Sequence, residues 1–203
     1  MVLAGIISAV KMSGVPVKDQ RAVFYGAGSA GVGVAKQIVA YFQCEGLTED
    51  EARRCFWLVD TKGLVTDDRG DKLADHKIYF SRPDNGGKQY KDLSQVVEYV
   101  KPTILMGLST DGNAFTAEIL SKMAQWNKHP IIFPLSNPSA NSECTFEDAV
   151  KHTHGKALFA SGSPFDPVDY EGQTYYAGQG MSFSHSPKRH HTKVILHFHT
   201  DAV

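Results

Sequence analysis

The sequence predicts a doubly wound α/β domain, in which helices cover both faces of a parallel sheet. Five short apolar runs have the composition of buried strands, and segments with apolar residues at helical spacing separate them. Strands that are apolar throughout are typical of parallel sheets, because such sheets are buried on both faces. The 203 residues, 42% of them hydrophobic, are enough for one such domain with its own core.

The first part of the chain supplies two helices and two strands around a glycine turn. The apolar run from Val2 to Val10 predicts an internal helix, since nine residues cannot span a bilayer and no secretory signal pattern is present. Residues 22–25 predict the first strand, followed by the turn and a helix that reaches Phe42. A capping-box pattern at Thr48 predicts a short helix, and the second strand ends at Asp60.

The remaining elements continue the alternation after one irregular segment. Residues 61–91 are polar and rich in turn residues, so we expect a surface excursion that carries little core. In order, the later elements are a helix over 93–100, a strand over 103–107, a helix after Thr116, a strand over 131–135, a helix after Thr145 and a strand over 157–160.

Charge and cysteine content limit the partners and the compartment. Lys and Arg number 21 against 22 Asp and Glu, so the chain lacks the basic field that holds a nucleic acid, and we expect no nucleic-acid partner. Cys44, Cys55 and Cys144 are odd in number and widely spaced, which favours a reducing compartment over a disulfide framework. We expect an intracellular protein, in the cytoplasm or the mitochondrion, with no membrane partner.

The chain divides into a domain over residues 1–180 and a histidine-rich tail over 181–203. The tail holds five of the nine histidines and lacks helical periodicity, so we predict a poorly ordered polar extension. A metal site in the tail is the alternative, although no ligand pair at structural-zinc spacing accompanies these histidines. Because an apolar helix is unusual at a terminus, we also expect the chain to begin inside a larger protein.

A glycine motif, Gly26-x-Gly28-x-x-Gly31, lies between the first strand and the helix that follows it. In a dinucleotide-binding turn the first glycine permits the tight turn, the second admits the pyrophosphate, and the third lets the helix pack on the strand. The helix amides then face the phosphates. The alternative is a glycine-rich turn that binds no nucleotide. The predicted cofactor-binding residues of the turn are Gly26, Ala27, Gly28, Ser29, Ala30 and Gly31.

The residues that follow the second strand are candidates for the adenosine end of the cofactor. Asp60, 29 residues after Gly31, is placed to accept hydrogen bonds from the ribose hydroxyls, or alternatively to cap its own turn. Lys62 and Lys77 are placed to reach a 2′-phosphate, with solvated surface lysines as the alternative for each. Thr61 completes this predicted cofactor-binding group.

Loops after the later strands supply the candidates at the carboxyl edge of the sheet, where ligands of such folds collect. Ser109 follows the third strand and Asn137, in the sequence Ser136-Asn137-Pro138, follows the fourth. Asn137 offers both donors and an acceptor, although a turn residue before proline describes it equally well. We predict both residues at the cofactor.

From about Ala4 to Gly180 the sequence resembles the C-terminal, nucleotide-binding half of malic enzymes, the decarboxylating malate dehydrogenases. The stretches that carry the resemblance are VFYGAG at 23–28, WLVDTKGL at 57–64, PIIFPLSNP at 130–138, FASGSPFDP at 159–167 and GQG at 178–180. The resemblance implies a Rossmann-type domain that binds NAD or NADP. It also implies that Asn137 contacts substrate and nicotinamide, that the glycine turn holds the dinucleotide, and that Asp60 is the acid on the ribose side.

The resemblance further implies an activity: malate is oxidised by hydride transfer to the nicotinamide, and the oxaloacetate formed loses CO2 to give pyruvate. In the family, Mg²⁺ or Mn²⁺ polarises the developing carbonyl. Malate and pyruvate are thus the implied small-molecule partners, and formation of a homo-oligomer is left open.

Two departures from the family pattern limit what we expect of this chain. The family's proton-transfer tyrosine and lysine, its malate-binding arginine and its acidic metal ligands fall before the position that matches Met1. We therefore expect no catalytic and no metal-binding residue here, and no malate turnover by the chain alone. In addition, Met181 and Ser182 follow Gly180 in place of the family's two asparagines. This departure is what we expect of a misread or alternatively spliced end. A non-catalytic regulatory fragment that docks on a full-length homologue, and a dehydrogenase of another Rossmann family, are the competing hypotheses.

Overall fold

The computed structural model describes residues 2–179 and residues 193–194. The strands are β1 Ala22–Tyr25, β2 Phe56–Asp60, β3 Gly63–Leu64, β4 Ile104–Gly107, β5 Ile131–Pro134, β6 Leu158–Ser161, β7 Val168–Tyr170, β8 Gln173–Tyr176, β9 Gly178–Gln179 and β10 Lys193–Val194. The helices are α1 Val2–Ser13, α2 Ser29–Cys44, α3 Glu49–Arg54, α4 Asp75–Ile78, α5 Leu93–Val100, α6 Ala117–Trp126 and α7 Phe146–His152.

The main sheet has the strand order β3-β2-β1-β4-β5-β6-β9. Its strands pair in parallel, except that β3 runs antiparallel to β2. Each of the five predicted strands is present, as β1, β2, β4, β5 and β6, and every residue of β4, β5 and β6 is buried. The prediction of a doubly wound parallel sheet is confirmed.

The chain reverses its direction of travel across the sheet between β1 and β4. Tyr25 at the end of β1 lies level with Val59 of β2 and with Gly107 of β4. The loops that leave these strands therefore open at one edge, and a crevice forms where the order reverses. This is the position at which open α/β sheets bind ligands.

Side-chain caps fix where most of the helices begin. Thr48 and Glu51 form the predicted capping box before α3, and Thr116 and Thr145 accept backbone N–H groups at the start of α6 and α7. The predicted internal helix at the start of the sequence is α1, which buries Ile6 against the core. The described helices are all too short or too polar to cross a membrane.

The expectation that residues 61–91 carry little core is wrong. Leu64, Val65 and Phe80 in this segment are fully buried, and the Phe80 ring packs 5.7 Å from that of Phe56. Arg82 is also buried, and its guanidinium donates to the main-chain carbonyls of Arg54, the last residue of α3, and Phe56, the first residue of β2. The segment joins the core because β3 continues the sheet beyond β2, and its few apolar residues pack against that edge of the sheet.

Two further features follow β6. The hairpin of β7 and β8 and the short strand β9, which pairs in parallel with β6, lie between residues 168 and 179, where we predicted no element. The expected poorly ordered tail and its alternative metal site lie outside the described residues, apart from β10, which pairs with β8.

Candidate functional site

The three glycines of the turn after β1 have different surroundings. A Cβ atom on Gly26, whose φ is +121°, would lie 2.4 Å from the Leu108 carbonyl oxygen, and one on Gly31 would lie 1.9 Å from the Gly26 oxygen. A Cβ atom on Gly28 would meet no described atom within 4 Å. Gly26 and Gly31 are therefore required for packing, whereas Gly28 keeps one face of the turn open.

The open face lies at the beginning of α2. No described side chain caps this helix at Gly28, and Gly28, Ser29 and Ala30 are exposed, whereas the Ala27 side chain is buried. The first amides of α2 are thus accessible at the positive end of the helix dipole. Such a helix terminus fits a phosphate group, and the missing side chain at Gly28 leaves room for one.

The loop after β4, residues 108–112, forms the opposite wall of the crevice. The N–H of Leu108 donates to the Tyr25 carbonyl over 2.8 Å, and the Tyr25 hydroxyl donates to Asp111 Oδ2 over 2.6 Å. Burial, together with the hydrogen bond to the Asp111 carboxylate, raises the pKa of Tyr25 to about 12. The phenol therefore stays protonated at neutral pH and links the two walls.

Asp60, at the end of β2, is the centre of an ion-pair cluster that also contains Lys62, Arg69, Asp71 and Lys77; we call it the β2-end cluster. The Asp60 carboxylate, 10% exposed, accepts from Arg69 at 2.7 and 3.1 Å and from Lys77 Nζ at 2.6 Å. Its Oδ1 also accepts from the N–H of Lys62 over 2.9 Å. Asp60 therefore caps its own turn, which was the alternative to ribose binding in the sequence analysis. Burial would raise the pKa of Asp60, but the hydrogen bonds from Arg69 and Lys77 hold it below its usual value.

The two predicted lysines differ in their surroundings. Lys77, whose side chain is 21% exposed, lies on Asp60, whereas Lys62 is 63% exposed and its ammonium pairs with Asp71 over 2.7 Å. Arg69 bridges Asp60 and Asp71 and is itself buried. The β2-end cluster combines three cations with two carboxylates, so it carries one net positive charge. Thr61 is exposed in the turn beside it.

We did not predict Arg69 from the sequence, because it lies in the polar segment over residues 61–91 that we assigned to the surface. The signal that was available is its position between two aspartates, Asp68 and Asp71, downstream of the strand that ends in Asp60. Only the fold brings the Arg69 guanidinium back over Asp60.

Three loops meet at the carboxyl edges of β4, β5 and β6. Asn137 is exposed in the second of these loops, and its Oδ1 accepts a hydrogen bond from the buried Ser163 hydroxyl of the third over 2.7 Å. Ser109 in the first loop donates to the buried carboxylate of Glu143. The structure thus brings Asn137 and Ser109 to one edge of the sheet, and it adds Ser163 and Glu143, which the sequence analysis did not select.

Metal ligands are not grouped in the described part of the chain. No three His, Cys, Asp or Glu side chains among those residues are placed to hold one ion. Asp111, the carboxylate at the mouth of the crevice, already accepts from Tyr25. The described residues therefore do not fit the Mg²⁺ or Mn²⁺ of the family, and we derive no step through such an ion.

Comparison with protein families tests the resemblance. Residues 1–185 match the family model described as the NAD binding domain of malic enzyme. The chain belongs to the malic enzyme family. The resemblance that rested on five sequence stretches is thereby confirmed, and the match covers the glycine turn, the β2-end cluster and all three loops at the sheet edge.

Individual malic enzymes match at high identity but are much longer. The NADP-dependent malic enzyme of Dictyostelium discoideum is 48% identical over 180 residues, which are 89% of this chain and 33% of that protein. The NAD-dependent malic enzyme 3 of Bacillus subtilis is 45% identical, over 87% of this chain and 32% of that protein. The chain thus spans about a third of the length of these curated relatives.

Solved malic enzyme structures share the fold. The NAD-dependent malic enzyme from Thermotoga maritima superposes with a TM-score of 0.61 at 24% identity, over 82% of this chain and 39% of that one. The Entamoeba histolytica malic enzyme gives a TM-score of 0.59 at 23% identity, over 79% of this chain and 30% of that one.

Proposed function

We propose that this malic enzyme domain binds NAD or NADP in the crevice between β1 and β4, with the pyrophosphate on the glycine turn. The observation that carries the proposal is the open face at Gly28, which exposes the uncapped start of α2 at the point where the strand order reverses. A dianionic pyrophosphate is the group that fits accessible helix amides in such a crevice. The β2-end cluster lies at the end of the neighbouring strand, on the side where the adenosine ribose would lie.

Asn137 and Ser109 serve the nicotinamide end in this proposal. The Ser163 hydroxyl donates to the carboxamide oxygen of Asn137, and within the described residues no group accepts from its two N–H donors, which can therefore bind a ligand carbonyl or carboxylate. Both the nicotinamide carboxamide and a substrate carboxylate offer such an acceptor. Asn137 is exposed, so a ligand at this edge of the sheet can reach its carboxamide.

The reaction that we assign to the complete enzyme is the oxidative decarboxylation of malate to pyruvate. When bound, NAD(P) supplies the hydride acceptor, and the part of this chain is to bind and orient that cofactor. Removal of the hydroxyl proton and stabilisation of the ketone need a base and a metal ion. Since the described residues provide no grouped metal ligands, we propose that the 203 residues alone bind the cofactor without turning over malate.

Titration calorimetry of the Gly28→Leu variant tests this placement of the cofactor. The backbone at Gly28 has φ −77°, which any residue adopts, and the added side chain enters open space, so we expect an unchanged melting temperature. The side chain should displace the pyrophosphate. Loss of two charge-assisted hydrogen bonds of about 1.5 kcal/mol each would weaken NAD(P) binding about a hundredfold.

Gly33→Ala is the matched control, because Gly33 is an exposed position on the same helix where a Cβ atom also meets no described atom. We expect this variant to bind the cofactor with unchanged affinity. Undiminished affinity in a folded Gly28→Leu variant would contradict the assignment of the turn.

A further inference from the structure

Glu143 is a buried carboxyl group that the proposed function does not use. It lies in the loop before α7 and is 0% exposed. Its Oε1 accepts from the Ser109 N–H and the Ser109 hydroxyl, both at 3.1 Å, and from the Ser136 hydroxyl at 2.5 Å. Its Oε2 is 3.4 Å from the Ser136 N–H, which donates to it.

The surrounding backbone holds this carboxyl group in place. The Glu143 carbonyl accepts from the Phe115 N–H over 2.8 Å, and the Ser142 carbonyl accepts from the Asn113 N–H over 2.9 Å. A Cβ atom on Gly107, the last residue of β4, would lie 2.2 Å from the Glu143 carboxyl carbon. The glycine at the end of β4 therefore leaves the space that Glu143 fills.

The four hydrogen bonds to the Glu143 carboxyl group all come from two loops at the sheet edge. One loop follows β4 and contains Ser109, and the other follows β5 and contains Ser136 next to Asn137. An unpaired buried carboxylate costs several kcal/mol, so its donors are held firmly once they are in place. The carboxylate thus fixes the position of one loop relative to the other.

We propose that Glu143 is a positioning residue for the nicotinamide end of the cofactor, an inference that rests on the proposed function. It holds the two loops at the spacing at which Ser109 and Asn137 act on one ring. Ser163, from the third loop, then sets the rotation of the Asn137 carboxamide. Among the described residues, the side-chain hydrogen bonds of Glu143 do not include the glycine turn or the β2-end cluster, so we expect its loss to leave the pyrophosphate and adenosine contacts in place.

The test compares two ligands on the full 203-residue chain. NADH and ADP-ribose share the adenosine and the pyrophosphate, but only NADH carries the nicotinamide. NADPH and 2′-phospho-ADP-ribose form a parallel pair. We expect Glu143→Ala to weaken NADH binding about tenfold in calorimetry, while ADP-ribose binding changes less than twofold. The fluorescence enhancement of the bound dihydronicotinamide should also fall.

Two more variants separate positioning from folding. Glu143→Gln should restore most of the NADH affinity, because its carboxamide oxygen still accepts from Ser109 and Ser136. Ser136→Ala removes the 2.5 Å hydrogen bond to Glu143 and the 3.0 Å hydrogen bond that the Ser136 hydroxyl accepts from the Thr110 N–H, and it should weaken NADH selectively even if Glu143→Ala does not fold. Glu147→Ala is the matched control, since Glu147 is an exposed glutamate that pairs with Lys151 on α7.

The outcomes distinguish this inference from the proposed function. An unaltered chain that binds neither ligand would contradict both. Two results would overturn the positioning role alone. The first is an unaltered chain that binds NADH and ADP-ribose equally well. The second is a folded Ser136→Ala or Glu143→Ala variant that loses affinity equally for both ligands, or loses none.

Discussion

Replacing Lys77 by alanine should separate NADP from NAD. In the β2-end cluster, Lys77 Nζ lies 2.6 Å from Asp60 and the side chain is only 21% exposed, so its charge is poorly screened. A 2′-phosphate bound beside Asp60 would make a charge-assisted hydrogen bond to this ammonium, which contributes about 1.5 to 3 kcal/mol. We therefore expect Lys77→Ala to raise the Kd for NADP about 10- to 150-fold.

NAD should respond differently. Loss of Lys77 removes one of the two donors to Asp60 Oδ2, the other being Arg69, and the free 2′-hydroxyl of NAD can donate there in its place. We expect its Kd to stay constant within about twofold or to fall. Lys62→Ala is the matched control, since Lys62 is 63% exposed and already paired with Asp71, and it should weaken NADP only a few-fold. Calorimetric titration of both ligands measures these changes. Equal losses of NAD and NADP affinity in Lys77→Ala would show that Lys77 does not bind the 2′-phosphate.

Three further predictions concern stability and turnover. Gly31→Ala should lower the free energy of unfolding in urea by about 1 to 3 kcal/mol, because its Cβ atom would lie 1.9 Å from a backbone oxygen. Gly33→Ala should raise this free energy slightly. Equal effects of the two variants would contradict the packing role of Gly31. Because the pKa of Asp60 is lowered, the folded chain takes up this proton at a lower pH than the unfolded chain, so the free energy of unfolding falls as the pH drops below about 4. Asp60→Asn should lose that part of the acid sensitivity in thermal melts from pH 6 to pH 2.5. An unchanged pH profile in this variant would contradict the contribution of Asp60. The unaltered chain with malate, Mn²⁺ and NAD(P) should form no reduced cofactor by absorbance; turnover that disappears in Asn137→Ala would show a base and metal ligands that we have not identified.

The five predicted strands of the sheet were predictable because they are apolar except at their ends, where β2 has Asp60 and β6 has Ser161, and because the helices between them begin at local capping signals. Thr48, Thr116 and Thr145 each mark a helix start through their own side chains. The glycine turn was predictable for the same reason, since a tight turn and a close helix contact demand glycine at fixed spacing. Local chemistry also predicted that Asp60 can cap its turn, which the structure shows.

Other features depend on contacts between distant residues and leave no local pattern. Phe80 is buried although it lies in a segment that is polar and rich in turn residues as a whole, because Phe56 packs against it in the folded chain. Arg69 reaches Asp60 only through the return of a long loop. The role of Glu143 depends on Gly107 and Ser136, which the adjacency of β4 and β5 brings to it.

A map of the backbone amide chemical shifts of the 203-residue chain during titration with NAD and NADP would locate the cofactor site directly. We predict that the largest changes fall on Gly28, Ser29 and Ala30 at the start of α2, with smaller changes at Ser109 and Asn137. NADP should in addition shift the amides near Lys77. Changes confined to a different surface, such as the groove between Tyr90 and Lys122, or no changes at all, would contradict the claim that the crevice between β1 and β4 is the cofactor site.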